Sequence, residues 1–369
     1  MTRPAQLARS LLALLCLGYA ASITATDYQI ETVADGLAFP WSLAFLPDGN
    51  ILVTEREGHL RIIRDGKLDP SPIGGVPATY VKGQAGFFDI TLDPDYLSNN
   101  TVYLSYAQGT HRANALAVAR ARFTDNSLTD LKVILTGEPA KDTPHHYGGR
   151  MVFLQDGSLL ITSGDGLDYR EQALALDSLL GKTLRINGDG SVPPDNPFVS
   201  TPNARPEVWS YGHRNQQGLV TTPYGIYLHE HGPRGGDELN LVKAGSNYGW
   251  PAITYGVDYS GAYISPYTEF PGMEQPVVHW VPSIAPAGMA YYDGSAFPQW
   301  QGDLFVATLV EKSIRRVDFE NGHAIAQEIL FTELGERMRD VRVGPDGYLY
   351  LLTDKAEGRV LRVKPYSGN

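Results

Sequence analysis

Six segments of the chain share one pattern of apolar and polar positions. In each, two runs of alternating apolar and polar residues flank a tight turn, most often Asp-Gly, as in LAFLPDGNILVTE. Alternation with a period of two is typical of strands with one buried face, and Asp-Gly between two such runs is a strong hairpin signal. The segments occupy residues 43–55, 89–107, 151–165, 219–230, 289–308 and 341–354.

The spacing of these hairpins predicts their assembly. They recur at uneven intervals of about 50–70 residues, which is typical of radial repeats with inserted loops. We therefore predict an all-β protein, a six-bladed β-propeller in which each blade is a four-stranded antiparallel sheet. Two β-sandwiches are the alternative, but no linker is visible between them. Residues 170–186 have a short helical pattern and fit better as a loop that leads into a strand.

The first residues have a different character. Two arginines precede an apolar run from Leu11 to Ala21, and small residues follow, which is the layout of a secretory signal. The run is too short to span a membrane. We expect residues 1–25 to be a signal peptide, residues 26–369 to form one propeller domain, and the protein to be exported to the periplasm.

Composition restricts the possible partners. The 369 residues carry a formal net charge of −11, which argues against nucleic acid or an anionic membrane surface, because both need a basic face. The only cysteine, Cys16, lies in the predicted signal. The mature chain would then have no disulfide, thiolate metal site or covalent c-type haem. A neutral or cationic small molecule fits better as a partner.

Candidate chemistry gathers in the loops before the innermost strands, which form the mouth of a propeller channel. Four of these loops are rich in polar residues: KGQAG, HHYGGR, GHRNQQG and ERMRD. Strand pairing within the 151–165 hairpin brings Asp165 near His146. A carboxylate beside an imidazole fixes its tautomer and raises its basicity, as a general base requires. A purely structural Asp–His bond is the alternative.

Arginines mark two of these loops. Arg214 and Asn215 precede one strand, whereas Arg337 and Arg339 alternate along another and so face one side. Three guanidinium groups that converge on one channel suit a ligand with several carboxylates. Surface ion pairs are the alternative for each arginine taken singly.

A metal site is a further hypothesis. The segment HGPRGGDELNLVKAGSNYGWP at 231–251 offers oxygen ligands for a hard cation such as calcium, with Glu238 as the carboxylate. A plain glycine-rich turn is the alternative. A histidine site at His229 and His231 is less favoured, because no spacing brings two histidines and a carboxylate to one point.

Several motifs are specific in combination: GQAGFFDITLDPDY, HHYGGR, SGDG, LGKTLRINGDG, YGHRNQQGL, HGPRGGDELN, GSNYGWP and RMRDV. With them, the chain resembles the soluble pyrroloquinoline-quinone (PQQ) sugar dehydrogenases, the glucose/sorbosone dehydrogenase family. The resemblance runs from about residue 39 to residue 354, nearly the whole mature chain.

The resemblance implies roles for individual residues. It makes His146 the catalytic base, Asp165 its orienting partner and Arg214 the group that stabilises developing charge. The positions implied to contact PQQ, a flat quinone with three carboxylates, are Gln84, His146, Arg214, Asn215, Tyr259, Arg337 and Arg339. The positions implied to bind calcium are the carbonyls of Gly232 and Pro233, next to PQQ, and a second site at Glu238, Tyr248 and Asp258.

This sequence departs from the family pattern at two places. The glucose-oxidising branch has a lysine that touches PQQ where this chain has Val310, although Lys312 lies two residues further on. That branch also has aspartate at the position of His145. Substrate range and cofactor affinity are expected to differ accordingly.

The resemblance implies oxidation of an aldose at its anomeric carbon to a lactone, with PQQ and Ca²⁺ as cofactors. The electron acceptor stays open between a quinone, a dye and a cytochrome, and the protein is expected to be a monomer or weak homodimer. A calcium-dependent lactonase would want carboxylates and asparagines instead of three arginines. A non-enzymatic binding propeller is disfavoured by Gln84, His146, Arg214 and Arg339.

Overall fold

The fold is a ring of β-sheets. The computed structural model describes residues 28–366, so the predicted signal peptide and Cys16 lie outside the described residues. The described chain forms twenty-four strands in six four-stranded antiparallel sheets. The predicted six-bladed β-propeller is therefore confirmed.

The strands are short and helix is scarce. The first half of the chain contains β1 (Tyr28–Leu37), β2 (Pro40–Phe45), β3 (Ile51–Glu55), β4 (His59–Arg64), β5 (Lys67–Leu68), β6 (Phe87–Leu92), β7 (Thr101–Thr110), β8 (Ala113–Thr124), β9 (Ser127–Thr136), β10 (Gly148–Phe153), β11 (Leu159–Ser163) and β12 (Lys182–Ile186). The second half contains β13 (Val208–Tyr211), β14 (Gln216–Thr222), β15 (Gly225–Glu230), β16 (Asp237–Val242), β17 (Val278–Trp280), β18 (Pro286–Tyr291), β19 (Leu304–Thr308), β20 (Ile314–Glu320), β21 (His323–Leu330), β22 (Met338–Val343), β23 (Leu349–Thr353) and β24 (Gly358–Pro365). The helical segments are α1 (Tyr96–Asn99) and the 3₁₀ turns Arg170–Ala173, Pro298–Trp300 and Thr332–Leu334. Within residues 28–366, no helix has the length and apolar character needed to cross a membrane.

Five blades are continuous stretches of chain, and the sixth joins both ends. The first five contain four consecutive strands each, from β2–β5 to β18–β21, whereas the sixth has the order β1-β24-β23-β22. In that blade β1 pairs antiparallel with β24, with Tyr28 opposite Pro365. The innermost strands β2, β6, β10, β14, β18 and β22 contact one another around the ring.

The hydrophobic core is divided among the blade interfaces. Six clusters of buried apolar side chains occur, and each one lies between two neighbouring blades. Phe305 and Leu351, for example, belong to the cluster between blades five and six. The two faces of every sheet are thus covered by the two neighbouring sheets. The ends of the strands remain free to form the two mouths of the channel.

All six innermost strands begin with an irregularity. The register of each with its neighbour shifts near its first residues, at Pro40/Ser42, Phe87/Ile90, Gly148/Met151, Gln216/Gly218, Pro286/Met289 and Met338/Asp340. A bulge bends the strand and redirects its side chains, and bulges are common beside active sites. The repeated irregularity lies at one mouth of the channel, where the candidate residues begin.

Candidate active site

The predicted site residues gather at this mouth. His146 precedes β10 and Asp165 follows β11, while Arg214 precedes β14 and Arg337 precedes β22. The start of an innermost strand and the end of its antiparallel neighbour meet at the same edge of a sheet. Residues far apart in the sequence are thereby brought to one end of the ring.

The histidine–aspartate pair is close and buried. His146 Nδ1 lies 2.7 Å from Asp165 Oδ1, and both side chains are buried. Because a carboxylate only accepts, Nδ1 carries the proton and Nε2 keeps its lone pair. Nε2 makes no hydrogen bond to any described residue. Burial lowers the pKa of His146 to about 4, although the charge of Asp165 opposes this shift, so the imidazole is neutral at neutral pH.

Asp165 is fixed by further donors. Its Oδ1 accepts the backbone N–H of Leu167 at 2.8 Å, and its Oδ2 accepts the indole N–H of Trp250 at 2.7 Å. Its own backbone N–H donates to the carbonyl of Arg214 at 2.8 Å. Trp250 lies in the GSNYGWP motif and was not among the predicted site residues. A carboxylate held at both oxygens holds the imidazole in turn.

The loop that carries His146 has an unusual backbone. His146 itself has a φ of +49°, and Gly148 and Gly149 follow with φ values of +66° and +98°. A Cβ on Gly148 would lie 2.7 Å from the carbonyl oxygen of Thr162, which explains the need for glycine there. Gln84 Oε1 accepts the backbone N–H of His146 at 2.9 Å and so ties this loop to the neighbouring blade.

A cavity of about 290 Å³ on the channel axis has a strongly basic wall. Arg337 and Arg339 share one carboxylate, Asp354, at 2.7 and 3.1 Å. Arg56 lies 4.5 Å from the centre of the Phe39 ring and has no ion pair among residues 28–366. The cavity is lined by Trp41, Arg56, Gln84, Phe88, Tyr147, Gly148, Asn215, Gln217, His231, Ala285, Leu309, Arg337, Arg339 and Asp354. Three guanidinium groups face one carboxylate there, which leaves positive charge for an anionic ligand.

Arg214 lies beside a different cavity from the other two predicted arginines. Its Nη1 donates to the carbonyls of Gly232 at 2.6 Å and His231 at 3.2 Å. These backbone acceptors draw the guanidinium towards a second cavity of about 310 Å³. That cavity is lined by Leu167, Asp168, Arg170, Arg214, Pro233, Trp250, Asp258, Tyr259 and Ile264. Tyr259, with 66% of its surface exposed, lies at its rim.

The predicted calcium ligands form two groups. The Gly232 carbonyl accepts from Arg214, and Pro233 lines the same cavity as Asp258. The other side chains lie apart: the Tyr248 hydroxyl donates to the Leu241 carbonyl, and Glu238 bonds Asn240. Among the described residues, no set of three His, Cys, Asp or Glu side chains is arranged around a metal position. A long loop separates Asp258 from β16 and carries it to the Arg214 side.

Of the remaining positions considered from the sequence, His231 lines the arginine cavity and the others lie outside both cavity walls. Val310 and Lys312 are exposed, and neither lines the arginine cavity, which Leu309 lines instead. His229 is fully buried without a hydrogen-bond partner among the described residues, whereas His231 Nε2 donates to the Pro286 carbonyl at 2.5 Å. His145 is half-buried next to His146.

Comparison with known proteins gives one consistent result. The family model described as Glucose / Sorbosone dehydrogenase matches residues 37–362. Aldose sugar dehydrogenase YliI of Escherichia coli is 41% identical over 96% of this chain and 98% of its own. The crystal structure of the soluble apo-form aldose sugar dehydrogenase of E. coli superposes with a TM-score of 0.89, at 41% identity over 92% of this chain and 100% of that one.

A PQQ-bound aldose sugar dehydrogenase from Streptomyces coelicolor has a TM-score of 0.76 and 29% identity, over 92% of this chain and 99% of that one. The family model therefore covers nearly all of the described ring, including both cavities and the His146–Asp165 pair. The chain belongs to the glucose/sorbosone dehydrogenase family.

Proposed function

We propose that the protein oxidises aldose sugars at the anomeric carbon to lactones, with PQQ and Ca²⁺ as cofactors and His146 as the general base. The observation that carries this proposal is the position of His146. Gln84 and Tyr147, which line the arginine cavity, are its hydrogen-bond partner and chain neighbour, and Leu167 and Arg214 line the second cavity. The base lies between a site for an anionic cofactor and a site for a neutral substrate.

The arginine cavity fits a flat tricarboxylate. Its side walls include the aromatic rings of Trp41, Phe88 and Tyr147, and its charge comes from arginines with a single carboxylate between them. Planar guanidinium groups bind carboxylates in pairs of hydrogen bonds. We infer that Arg337, Arg339, Gln84 and Asn215 hold PQQ, together with Arg56, which lines the same cavity.

Calcium fits beside Arg214. The carbonyls of Gly232 and Pro233 offer two hard oxygen ligands of the six to eight that calcium takes, and cofactor and water would have to supply the others. Because Arg214 Nη1 already donates to the Gly232 oxygen, calcium and the guanidinium compete for it. The second site predicted at Glu238, Tyr248 and Asp258 is not part of this proposal, since these side chains have separate partners.

The chain's own residues perform the proton chemistry. His146 Nε2 removes the proton of the anomeric hydroxyl, and Asp165 stabilises the imidazolium that forms. Bound PQQ would supply the acceptor for the hydride that leaves the anomeric carbon. Arg214, when released from the Gly232 carbonyl, offers N–H groups to developing negative charge. The sugar thus loses one hydride and one proton and becomes the lactone.

A lactonase is not favoured by any observation. Such an enzyme would need carboxylates and amides around an axial metal, whereas this axial cavity has a basic wall. We also propose that residues 1–25 act as a signal peptide that directs export to the periplasm. The preferred aldose and the electron acceptor are to be identified by experiment.

The test is reconstitution. Protein produced without PQQ should be inactive, and PQQ with Ca²⁺ should restore dye reduction by aldoses, whereas NAD should have no effect because the chain has no dinucleotide-binding glycine motif. His146→Ala, reconstituted in the same way, is the matched control. Sugar oxidation by the cofactor-free protein would refute the proposal.

A further inference from the structure

Two lysines are buried in closely similar environments: Lys141 in the connection between blades two and three, and Lys182 at the start of β12 in blade three. The Lys141 ammonium donates to Asn114 Oδ1 at 3.2 Å and to the carbonyls of Thr143 and His145 at 2.7 and 2.9 Å. The Lys182 ammonium donates to three carbonyls, at 2.6–2.9 Å. Burial lowers the pKa of each to about 7. A buried ammonium is unfavourable unless all its N–H groups are hydrogen-bonded. Each lysine therefore depends on the carbonyls around it and in turn holds that segment of backbone in place.

Lys141 acts on both sides of His146. It bonds the carbonyl of His145, the peptide unit that leads into His146. Its ammonium also lies 3.4 Å from the centre of the Tyr147 ring, a favourable cation–π contact. The Tyr147 hydroxyl donates to Asn114 Oδ1, which Lys141 also contacts. The two chain neighbours of His146 are thus held by a single side chain.

This hold explains how His146 keeps its backbone conformation. A φ of +49° is uncommon for any residue other than glycine and persists where surrounding contacts fix it. Thr143 Oγ1 adds a bond of 2.5 Å to the carbonyl of Gly166, next to Asp165. The loop of the base and the loop of its carboxylate are therefore joined by the segment that Lys141 organises.

We infer that Lys141 is a positioning residue for His146. Its ammonium fixes the His145 carbonyl and the Tyr147 ring, and so keeps His146 Nδ1 on Asp165 and Nε2 without a hydrogen-bond partner among the described residues. Lys141 itself lines neither cavity, and it meets the arginine cavity only through the back of the Tyr147 ring. The importance of this for turnover rests on the proposed function, but the geometric statement does not.

Lys182 supplies the matched control. It is as buried as Lys141 and as fully bonded, but its acceptors are the carbonyls of Gln172, Ala173 and Leu180. Lys141→Met and Lys182→Met remove the same charge at nearly the same length. Both should lower Tm by similar amounts. Only Lys141→Met should lose kcat, by roughly 10- to 100-fold, the scale for a displaced catalytic group. Its PQQ affinity should change less than about threefold.

A direct readout needs no cofactor. In protein labelled with ¹⁵N-histidine, the hydrogen-bonded Nδ1 protons of His146 and His213 should both give low-field signals, since each faces a carboxylate. The His146 signal should disappear in Lys141→Met and remain in Lys182→Met, while the His213 signal remains in both. If this holds but no aldose is oxidised by the wild type, the positioning role stands and the proposed function falls.

Other outcomes overturn the inference. Retention of the His146 signal and of kcat in Lys141→Met would do so, as would equal loss of kcat in both variants. If Lys141→Met does not fold, Asn114→Ala decides, because it removes one acceptor of Lys141 and the partner of Tyr147. Asn114→Ala should lower kcat by roughly two- to tenfold without changing the PQQ dissociation constant. An unchanged kcat there would also refute the inference.

Discussion

Two buried histidine–carboxylate pairs lie near the same mouth, and they differ in one contact. His146 Nδ1 is 2.7 Å from Asp165, and His213 Nδ1 is 2.8 Å from Glu230. His213 Nε2 also bonds Ser210 Oγ, at 2.8 Å. His146 Nε2 has no such partner within residues 28–366. A carboxylate fixes the tautomer in both pairs, but only an imidazole with a free second nitrogen can take a proton from a substrate.

The surroundings of the His146 and His213 imidazole rings also differ. His213 stacks on Tyr248, with ring centres 4.5 Å apart and planes 20° from parallel, and is fully enclosed. Glu230 uses its other oxygen to accept the backbone N–H of Arg214 at 2.5 Å. This pair therefore serves to hold Arg214, whereas the His146 pair adjoins residues that line the cavities, Tyr147 and Gly148 on one side and Leu167 on the other. Equal hydrogen-bond geometry does not imply equal function.

The largest expected effect tests the first pair. His146→Ala should reduce kcat by roughly 10²–10⁴-fold with PQQ binding retained, the scale for removal of a general base. His145→Ala should lose much less, because the imidazole bonded to Asp165 is that of His146. Steady-state kinetics with reconstituted protein measures both. If His146→Ala keeps its kcat and His145→Ala loses it, the base is His145 and the assignment to His146 is wrong by one residue.

Removal of the carboxylate should have an intermediate effect on kcat. Asp165→Asn deletes the charge that supports the imidazolium, so its kcat should lie between those of the two histidine variants. Since Asp165 raises the pKa of His146, the acid limb of kcat/KM, near pH 4 in the wild type, should move to lower pH. A limb that stays in place would exclude His146 as its origin.

The lowered pKa of His146 also predicts how the free energy of unfolding changes with pH. Because the folded-state pKa of His146 lies below its ordinary value of 6.5, the unfolded chain binds more protons between pH 4 and 6.5. The contribution of this residue to stability should therefore be lost as the pH falls through that window. Urea unfolding of the wild type and His146→Ala across this range isolates the contribution of this residue.

A smaller effect, on cofactor affinity, is expected from Arg337 and Arg339, which lie outside both histidine–carboxylate pairs. Arg337→Ala or Arg339→Ala should weaken PQQ binding by about 1.5–3 kcal/mol, since each removes a charged hydrogen-bond donor for a carboxylate. The value of kcat at saturating PQQ should change little. Fluorescence titration of the cofactor-free protein gives the affinity. Unchanged affinity in both variants would reduce these arginines to partners of Asp354.

The smallest effect on activity is expected from the second pair. His213→Asn should lower the free energy of unfolding by about 1–3 kcal/mol, because it disturbs a buried hydrogen-bonded chain. The value of kcat should stay within tenfold, since Arg214 keeps its carbonyl contacts. If His213→Asn loses as much activity as His146→Ala, the distinction between the two pairs is wrong.

Local pairing made the first pair predictable. His146 and Asp165 flank one hairpin, and the tight turn between β10 and β11 fixes which residues meet. The same rule gave the six blades, because each Asp-Gly or similar turn marks the inner hairpin of one blade. Sequence reasoning succeeds where a short turn determines the geometry.

Contacts between distant segments were not predictable in this way. Trp250 reaches Asp165 from another blade, and Arg56 joins the arginine cavity from blade one. Asp258, which the resemblance groups with Glu238, lies on a loop without regular strands between β16 and β17. Because no strand pairing fixes that loop relative to the sheet, its position depends on packing that the pattern of apolar residues does not encode.

The pairing of β1 with β24 has a consequence for the order of events during synthesis. Blade six has all four strands only when the end of the chain has emerged from the ribosome, since Tyr28 of β1 pairs with Pro365 of β24. Each doubling of a closed loop adds only about 0.6 kcal/mol, so this late closure weakens the finished protein little. It does delay completion, because distant pairing is slow. A chain interrupted before Gly358 would keep five whole blades, a β1 without its partner and an open edge at β23, which is a template for pairing with edge strands of other chains.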